Sequence, residues 1–310
     1  MAKVAFIFPG QGSQTVGMGK DLFDNFAVSR DVFEQADEAL GFPLSEMCFS
    51  GSEEDLAMTA NTQPAILTTS VAAFRAMKAE GFAEPDFVAG HSLGEYSALV
   101  AAGVLDFAEA VRTVRKRGTY MQEAVPVGVG AMAAILGADV ETVEVACADA
   151  AEGQVCSPAN INTPSQIVIA GDSDAVDRAC ELLKERGAKR AVKLNVSAPF
   201  HCSLMMPAQE RLSADLRALK YGAFGFPIVH NVDAAVNSDE SKVCDALTRQ
   251  VSGPVKWLQS VRELRAQGVE TFVEVGAGKV LSGLVRQIDR DVRFLNVENS
   301  ESLRNTKETL

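Results

Sequence analysis

The amino-acid sequence predicts an α/β fold: a hydrolase-like core built on a parallel sheet, with a small α+β unit inserted into it. Three observations carry this. Strands run through glycine turns into helices three times along the chain. The first two, residues 4–8 and 87–89, are apolar without alternation, as strands covered on both faces are. Between the second and third unit, the order of elements changes to strand, helix, strand, strand, helix, strand.

The first unit opens the chain. Residues 4–8 are five consecutive apolar residues, followed by the turn Pro9-Gly10-Gln11-Gly12-Ser13. Helical patterns follow over 21–40 and 64–80. A second strand, Phe87-Val88-Ala89, enters Gly90-His91-Ser92-Leu93-Gly94, and a helix runs from about Leu93 to Ala102. The third unit, 271–275, passes Gly276 and Gly278 into a helix over 280–288. In the intervening stretch, 131–136 reads as a strand and 139–150 as a helix. Residues 155–162 and 166–170 read as strands across Thr163-Pro164-Ser165, 174–186 as a helix and 190–196 as a last strand. That is the order of a ferredoxin-like unit. The expected division is a core of 1–127 and 197–310 and a ferredoxin-like subdomain of 128–196, flanked on its far side by Ser197-Ala198-Pro199.

Bulk properties narrow the function. With 310 residues the chain has enough length for a full core plus a small second unit. The opening apolar run is too short for a signal-peptide core, and no stretch is long enough to span a bilayer, so a soluble cytoplasmic protein is expected. A net charge of −12 argues against a nucleic-acid footprint across the surface. The six cysteines (48, 147, 156, 180, 202, 244) include no Cys-x-x-Cys pair, and the three histidines are scattered, which points to neither a zinc site nor a disulfide framework.

Gly90-His91-Ser92-Leu93-Gly94 between a strand and a helix is the pattern of a nucleophile elbow. The serine needs unusual backbone angles at a sharp turn, and the glycines allow strand and helix to approach. The helix N-terminus behind Ser92 favours developing negative charge. A serine nucleophile needs a base, and histidine is the usual one near neutral pH. His91 adjoins Ser92 and should point away from it. His230 lies in the strand-like run 226–232 and reads as a satisfied, partly buried residue. His201 sits in an irregular loop that opens a helix with Leu212, Leu216 and Leu219 as its apolar stripe, so it is the preferred base, with His230 second. A Cys202–His201 dyad is disfavoured because sequence neighbours rarely orient toward each other.

The helix over 107–123 holds Arg112, Arg115, Lys116 and Arg117 beside an apolar stripe of Phe107, Val111, Val114 and Met121. Arg117 alone leans toward the core, next to the gap left by Gly118. A buried guanidinium requires an anionic partner. That partner is either an internal carboxylate or a substrate carboxylate held bidentately.

These residues, with Phe8-Pro9-Gly10-Gln11-Gly12-Ser13-Gln14, Gly94-Glu95-Tyr96-Ser97, Gly130-Ala131-Met132, Pro199-Phe200-His201, Asn231-Val232-Asp233-Ala234, Gln250 and Glu274-Val275-Gly276, resemble the malonyl-CoA:acyl carrier protein transacylases over nearly the whole chain. The resemblance implies Ser92 as the acylated nucleophile and His201 as its base. It further implies the backbone N–H groups of Gln11 and Leu93 as oxyanion hole, and Arg117 as the malonyl-carboxylate ligand. Gln250 would orient His201 through its backbone carbonyl, Gln63 would line the acyl site, and Phe200 would disfavour an α-branched acyl group. The implied partners are malonyl-CoA, CoA and acyl carrier protein, with no nucleic acid and no membrane; no metal or organic cofactor is needed because a thioester is already activated, and a monomer is expected. A serine hydrolase or thioesterase shares the elbow and is the main alternative. A nucleotide-binding protein (Gly10-x-Gly12, Gly276-x-Gly278) lacks a complete fingerprint, and a carrier-binding module without chemistry would show no acylation.

Overall fold

The computed structural model describes residues 2–196 and 198–310; Met1 and Ser197, the latter a flank of the expected insertion, lie outside the described residues. Ten strands are present among them: β1 (Lys3–Phe8), β2 (Phe87–Gly90), β3 (Gly130–Leu136), β4 (Cys156–Thr163), β5 (Gln166–Asp172), β6 (Arg190–Lys193), β7 (Ile228–Val229), β8 (Val236–Asn237), β9 (Val269–Val275) and β10 (Arg293–Val297). They form a six-stranded sheet in the order β10-β9-β1-β2-β7-β8 and a four-stranded sheet in the order β4-β5-β3-β6. The first sheet is parallel from β10 to β7, with β8 added antiparallel at its edge.

The unalternating apolar strands have the burial their composition implies. Phe6, Phe8 and Val88 enter one core, and Ala5, Ile7, Phe87 and Ala89 enter another on the opposite face. In β3 and β5 of the second sheet, Ala133, Ile135, Ile167 and Ile169 pack against helices Val140–Ala151 and Ser173–Glu185, while Met132, Val168 and Ala170 pack into the main core. The edge strand β4 is also tied to the main body by backbone bonds. Ile161 N donates to Val255 O at 2.9 Å, and Val255 N donates to Ala159 O at 2.8 Å.

Three departures from expectation affect the site. The helix expected from residue 64 begins at Thr59 and runs to Ala79, with Pro64 inside it. Proline at that point removes a donor, but Asn61 and Thr62 side chains bind the Asp55 and Leu56 carbonyls just ahead of the helix at 2.7 and 2.6 Å. The extra turn is what carries Gln63. The last strand of the second sheet stops at Lys193, so that Leu194, Asn195 and Val196 leave the sheet and line the cleft. Strands β8 and β10, which the sequence reading lacked, extend the main sheet at its two edges.

Order of strands places the chemistry. Strand β1 lies between β2 and β9, and the register sets Phe8 beside Gly90. The chain leaves β1 toward one side and returns on the other, and such a switch point opens a crevice beyond the carboxyl ends of the strands. The Gln11 turn and the Ser92 turn both stand there.

Candidate active site

The sharp turn after β2 depends on two missing side chains. A Cβ on Gly90 would lie 2.0 Å from the carbonyl of Gly94, and one on Gly94 would lie 2.0 Å from the Phe8 carbonyl oxygen. Strand and following helix therefore touch backbone to backbone. Ser92 is held between them at φ 50°, a left-handed conformation that non-glycine residues adopt at a cost of about 1–3 kcal/mol when the surroundings enforce it. Asn231 does the enforcing. Its Oδ1 accepts from Ser92 N at 2.7 Å, and its Nδ2 donates to Gly90 O at 2.6 Å.

Over this turn lies a cleft of about 350 Å³ between the two sheets, lined by Gln11, Gln63, Ser92, Arg117, Phe200 and His201 among others. Six of the predicted site residues thus share one cavity. Leu93 and Gln250 stand behind it: the Leu93 side chain is buried in the core, and Gln250 is fully buried. Neither the Gln11 nor the Leu93 backbone N–H has a protein acceptor among the described residues.

His201 Nε2 is 2.8 Å from Ser92 Oγ. On the other side of the ring, Nδ1 faces two carbonyls, Gln250 O at 2.9 Å and Gly253 O at 3.2 Å. Only a ring N–H can satisfy those carbonyls, so Nε2 is left as the acceptor for the Ser92 hydroxyl. No carboxylate bonds to His201 among the described residues. Like Ser92, His201 has a left-handed backbone, φ 62°.

Arg117 is 1% exposed, and among the described residues it pairs with no carboxylate. Its partners are neutral: Nη1 donates to Gln63 Oε1 at 2.9 Å, and Nη2 to Gln250 Oε1 at 3.0 Å and Ser92 Oγ at 3.2 Å. Among the described residues Nε has no acceptor, and the guanidinium carbon lies 5.6 Å from the Tyr96 ring centroid. The close approach at Gly118 makes this possible, since a Cβ there would lie 2.6 Å from the Thr59 carbonyl oxygen. Of the two partners the sequence allowed, the internal carboxylate is not the one observed. A cation with no carboxylate in contact, beside a serine hydroxyl, is a ready site for a small carboxylate.

Residues 5–302 match the family model described as the acyl transferase domain. The malonyl CoA-acyl carrier protein transacylase of Bacillus subtilis is 49% identical over 311 residues, which covers 100% of this chain and 98% of that protein. The chain belongs to this family. An acyl carrier protein S-malonyltransferase from Vibrio cholerae matches with a TM-score of 0.96 at 49% identity, covering 98% of this chain and 100% of that one. A type II PKS acyl-carrier protein in complex with its malonyl-transacylase matches with a TM-score of 0.97 at 45% identity, covering 100% of both chains.

The electrostatics of this transacylase site differ from those of a carboxylate-backed triad. Burial, and after it the neighbouring Arg117 charge, pushes the His201 pKa from 6.5 down to about 3. The imidazole is thus kept neutral at working pH. Burial likewise lowers His91, whose Nε2 is 2.8 Å from Asn162 Oδ1 and whose ring lies 5.7 Å from that of Trp257. His230 is no rival base: it is buried away from the cleft, with Nδ1 2.7 Å from Glu95 Oε1. The Cys202 thiol bonds to Pro199 O at 3.1 Å and is also out of the chemistry.

Three side-chain contributions escaped the sequence reading. Gln250 was given a carbonyl role only, yet its side chain joins Arg117, the Ser92 carbonyl (3.0 Å) and Glu95 (2.8 Å). Asn231 and Glu95 stood in quoted motifs without a role. A signal existed for Glu95, the one charged residue of the helix Gly94–Ala101. Nothing in the pattern said what it binds.

Proposed function

We propose that the enzyme transfers a malonyl group from malonyl-CoA to the phosphopantetheine thiol of acyl carrier protein through an ester on Ser92, supplying fatty-acid synthesis. The observation that carries this reading is the buried Arg117, unpaired with any carboxylate among the described residues and 3.2 Å from the Ser92 hydroxyl. The malonyl carboxylate supplies the missing anion, and its attachment to Arg117 sets the thioester carbonyl beside Ser92 Oγ.

Chemistry then follows from the hydrogen bonds. Ser92 gives its proton to His201 Nε2 as Oγ bonds to the thioester carbon. Charge gathers on the carbonyl oxygen, for which the free N–H groups of Gln11 and Leu93 serve as oxyanion hole. The C–S bond breaks, and the CoA sulfur leaves with the proton from His201. In the second half-reaction the pantetheine thiol passes its proton to the same nitrogen and attacks the seryl ester; the C–O bond breaks and Ser92 Oγ leaves with that proton from His201. The carbonyls of Gln250 and Gly253 keep the ring in its working tautomer, and Phe200 narrows the acyl end of the cleft.

The same reading takes residues 128–196 as a ferredoxin-like subdomain closing over a hydrolase-like core of 1–127 and 197–310; the element order and the separate apolar cluster support it. One chain supplies every group named, so a cytoplasmic monomer is proposed. No helix among the described residues is long and apolar enough to cross a membrane. Intact-mass measurement after mixing with malonyl-CoA tests the function: one malonyl adduct, mapped to Ser92 and absent in Ser92→Ala, is expected, and an adduct elsewhere or none rejects it.

A further inference from the structure

Behind the cleft lies a buried carboxylate that no step above uses. Glu95 is fully buried and accepts three hydrogen bonds: from His230 Nδ1 at 2.7 Å, from Asn231 N at 3.0 Å and from Gln250 Nε2 at 2.8 Å. All three donors are neutral in this arrangement. Asn237 Oδ1 accepts from Asp239 N at 3.0 Å, which turns Asn237 Nδ2 toward His230 Nε2 at 3.0 Å. Nε2 must therefore accept, and the ring proton sits on Nδ1, facing Glu95.

A buried anion with no cation in contact is costly. Its counter-charge is one amide away. Gln250 Nε2 donates to Glu95 while Gln250 Oε1 accepts from Arg117 Nη2, so that the amide lies between a carboxylate and a guanidinium with both ends matched. Rotating that amide by half a turn would set its oxygen against the Glu95 carboxylate and its NH2 against Arg117, two repulsive contacts in place of two attractive ones. The Glu95 charge, together with the Ser92 carbonyl that accepts from the same Nε2 at 3.0 Å, thereby selects the amide orientation that holds the guanidinium at the cleft.

We infer that Glu95, which touches no substrate, is the positioning residue and counter-charge of the acyl-carboxylate clamp, acting on Arg117 through the side-chain amide of Gln250. This rests on the reading of Arg117 as the malonyl ligand. Glu95→Gln is a stringent test because it cannot be satisfied in place. Its NH2 would meet either the His230 Nδ1 proton or Gln250 Nε2, and a change of His230 tautomer would point an N–H at Asn237 Nδ2.

The experiment measures kcat/KM with malonyl-CoA and with acetyl-CoA, whose acyl group has no carboxylate, for the unaltered enzyme, Glu95→Gln, Glu95→Asp and Arg117→Ala. In Glu95→Gln the malonyl-to-acetyl ratio is expected to fall about tenfold or more, chiefly through a raised KM for malonyl-CoA, since charged hydrogen bonds of this kind are worth about a factor of ten or more. Glu95→Asp keeps the charge at a shorter reach and is expected to fall less; it carries the test if Glu95→Gln does not fold. A merely structural role lowers both substrates together and leaves the ratio unchanged, and that result in whichever Glu95 variant folds overturns the inference. If Arg117→Ala itself leaves the ratio unchanged, the clamp reading has failed instead.

Discussion

Replacing Arg117 by alanine separates the clamp from the rest of the machinery. The guanidinium is buried and, among the described residues, hydrogen-bonds to Gln63, Gln250 and Ser92 Oγ, with Nε unused. Its removal leaves a malonyl carboxylate in a desolvated cleft facing amide oxygens. Truncating one member of a buried charged pair costs about 2–5 kcal/mol. At about 1.4 kcal/mol per factor of ten, that is a loss of about 30- to 4,000-fold in kcat/KM for malonyl-CoA. An acetyl group has no carboxylate to strand, and its transfer is expected to change little or to rise. The assay is acylation of Ser92 with each thioester, followed by intact mass at matched times, with a melting curve for each protein. Equal losses for both substrates, accompanied by a lowered melting temperature, would show that Arg117 is a structural member of the core and refute the reasoning.

Other predictions concern the base and its supports. His201→Ala is expected to slow both half-reactions by about 10²–10⁴-fold, measured as acylation by malonyl-CoA and as discharge to carrier protein. Because the folded His201 pKa is pushed to about 3, kcat/KM for malonyl-CoA should stay flat as pH falls through 6.5, and an inflection at 6.5 contradicts this. The same shift has a stability consequence: the unfolded chain takes up the proton first, so stability present above pH 6.5 is lost as pH falls toward 3, at up to about 1.4 kcal/mol per unit. Urea titrations should show this acid loss reduced in His201→Gln. Gln250→Ala keeps the carbonyl behind His201 but loses the amide between Arg117 and Glu95; its malonyl transfer should fall more than its acetyl transfer, and neither as far as in His201→Ala. Asn231→Ala frees the Ser92 and Gly90 backbone groups and should lower acylation by both thioesters alike, read by the same mass assay.

Much of this was legible because backbone geometry leaves marks in sequence. Gly90 and Gly94 announce the elbow, and the apolar runs of β1 and β2 announce a sheet covered twice. Arg117 was visible as a cation on the inner face of an amphipathic helix, although its lack of a protein carboxylate was not. What pattern could not supply was contact across long separations. Ser92 is held by Asn231, 139 residues away, and Gln250 reaches Glu95 across 155 residues. Periodicity reports which face a residue takes within its own element; it carries nothing about the partner on another. The Thr59 start of the Gln63 helix was missed for a different reason, since a proline at 64 reads as a first-turn residue, and here side-chain bonds let the helix extend ahead of it.

In the proposed mechanism the base serves a thiol and not water. His201 is backed by two carbonyls, and the Arg117 charge nearby further disfavours imidazolium. Without a carboxylate behind it the ring is a weaker base than in a hydrolase triad, adequate for a thiol, which surrenders its proton far more readily than water does. The decisive measurement isolates the malonyl-enzyme and follows its decay with and without holo acyl carrier protein. The prediction is an ester on Ser92 that persists in buffer and is discharged rapidly to the pantetheine thiol, with malonyl recovered on the carrier. Spontaneous release of free malonate at a rate comparable to transfer would contradict it and make the protein a hydrolase.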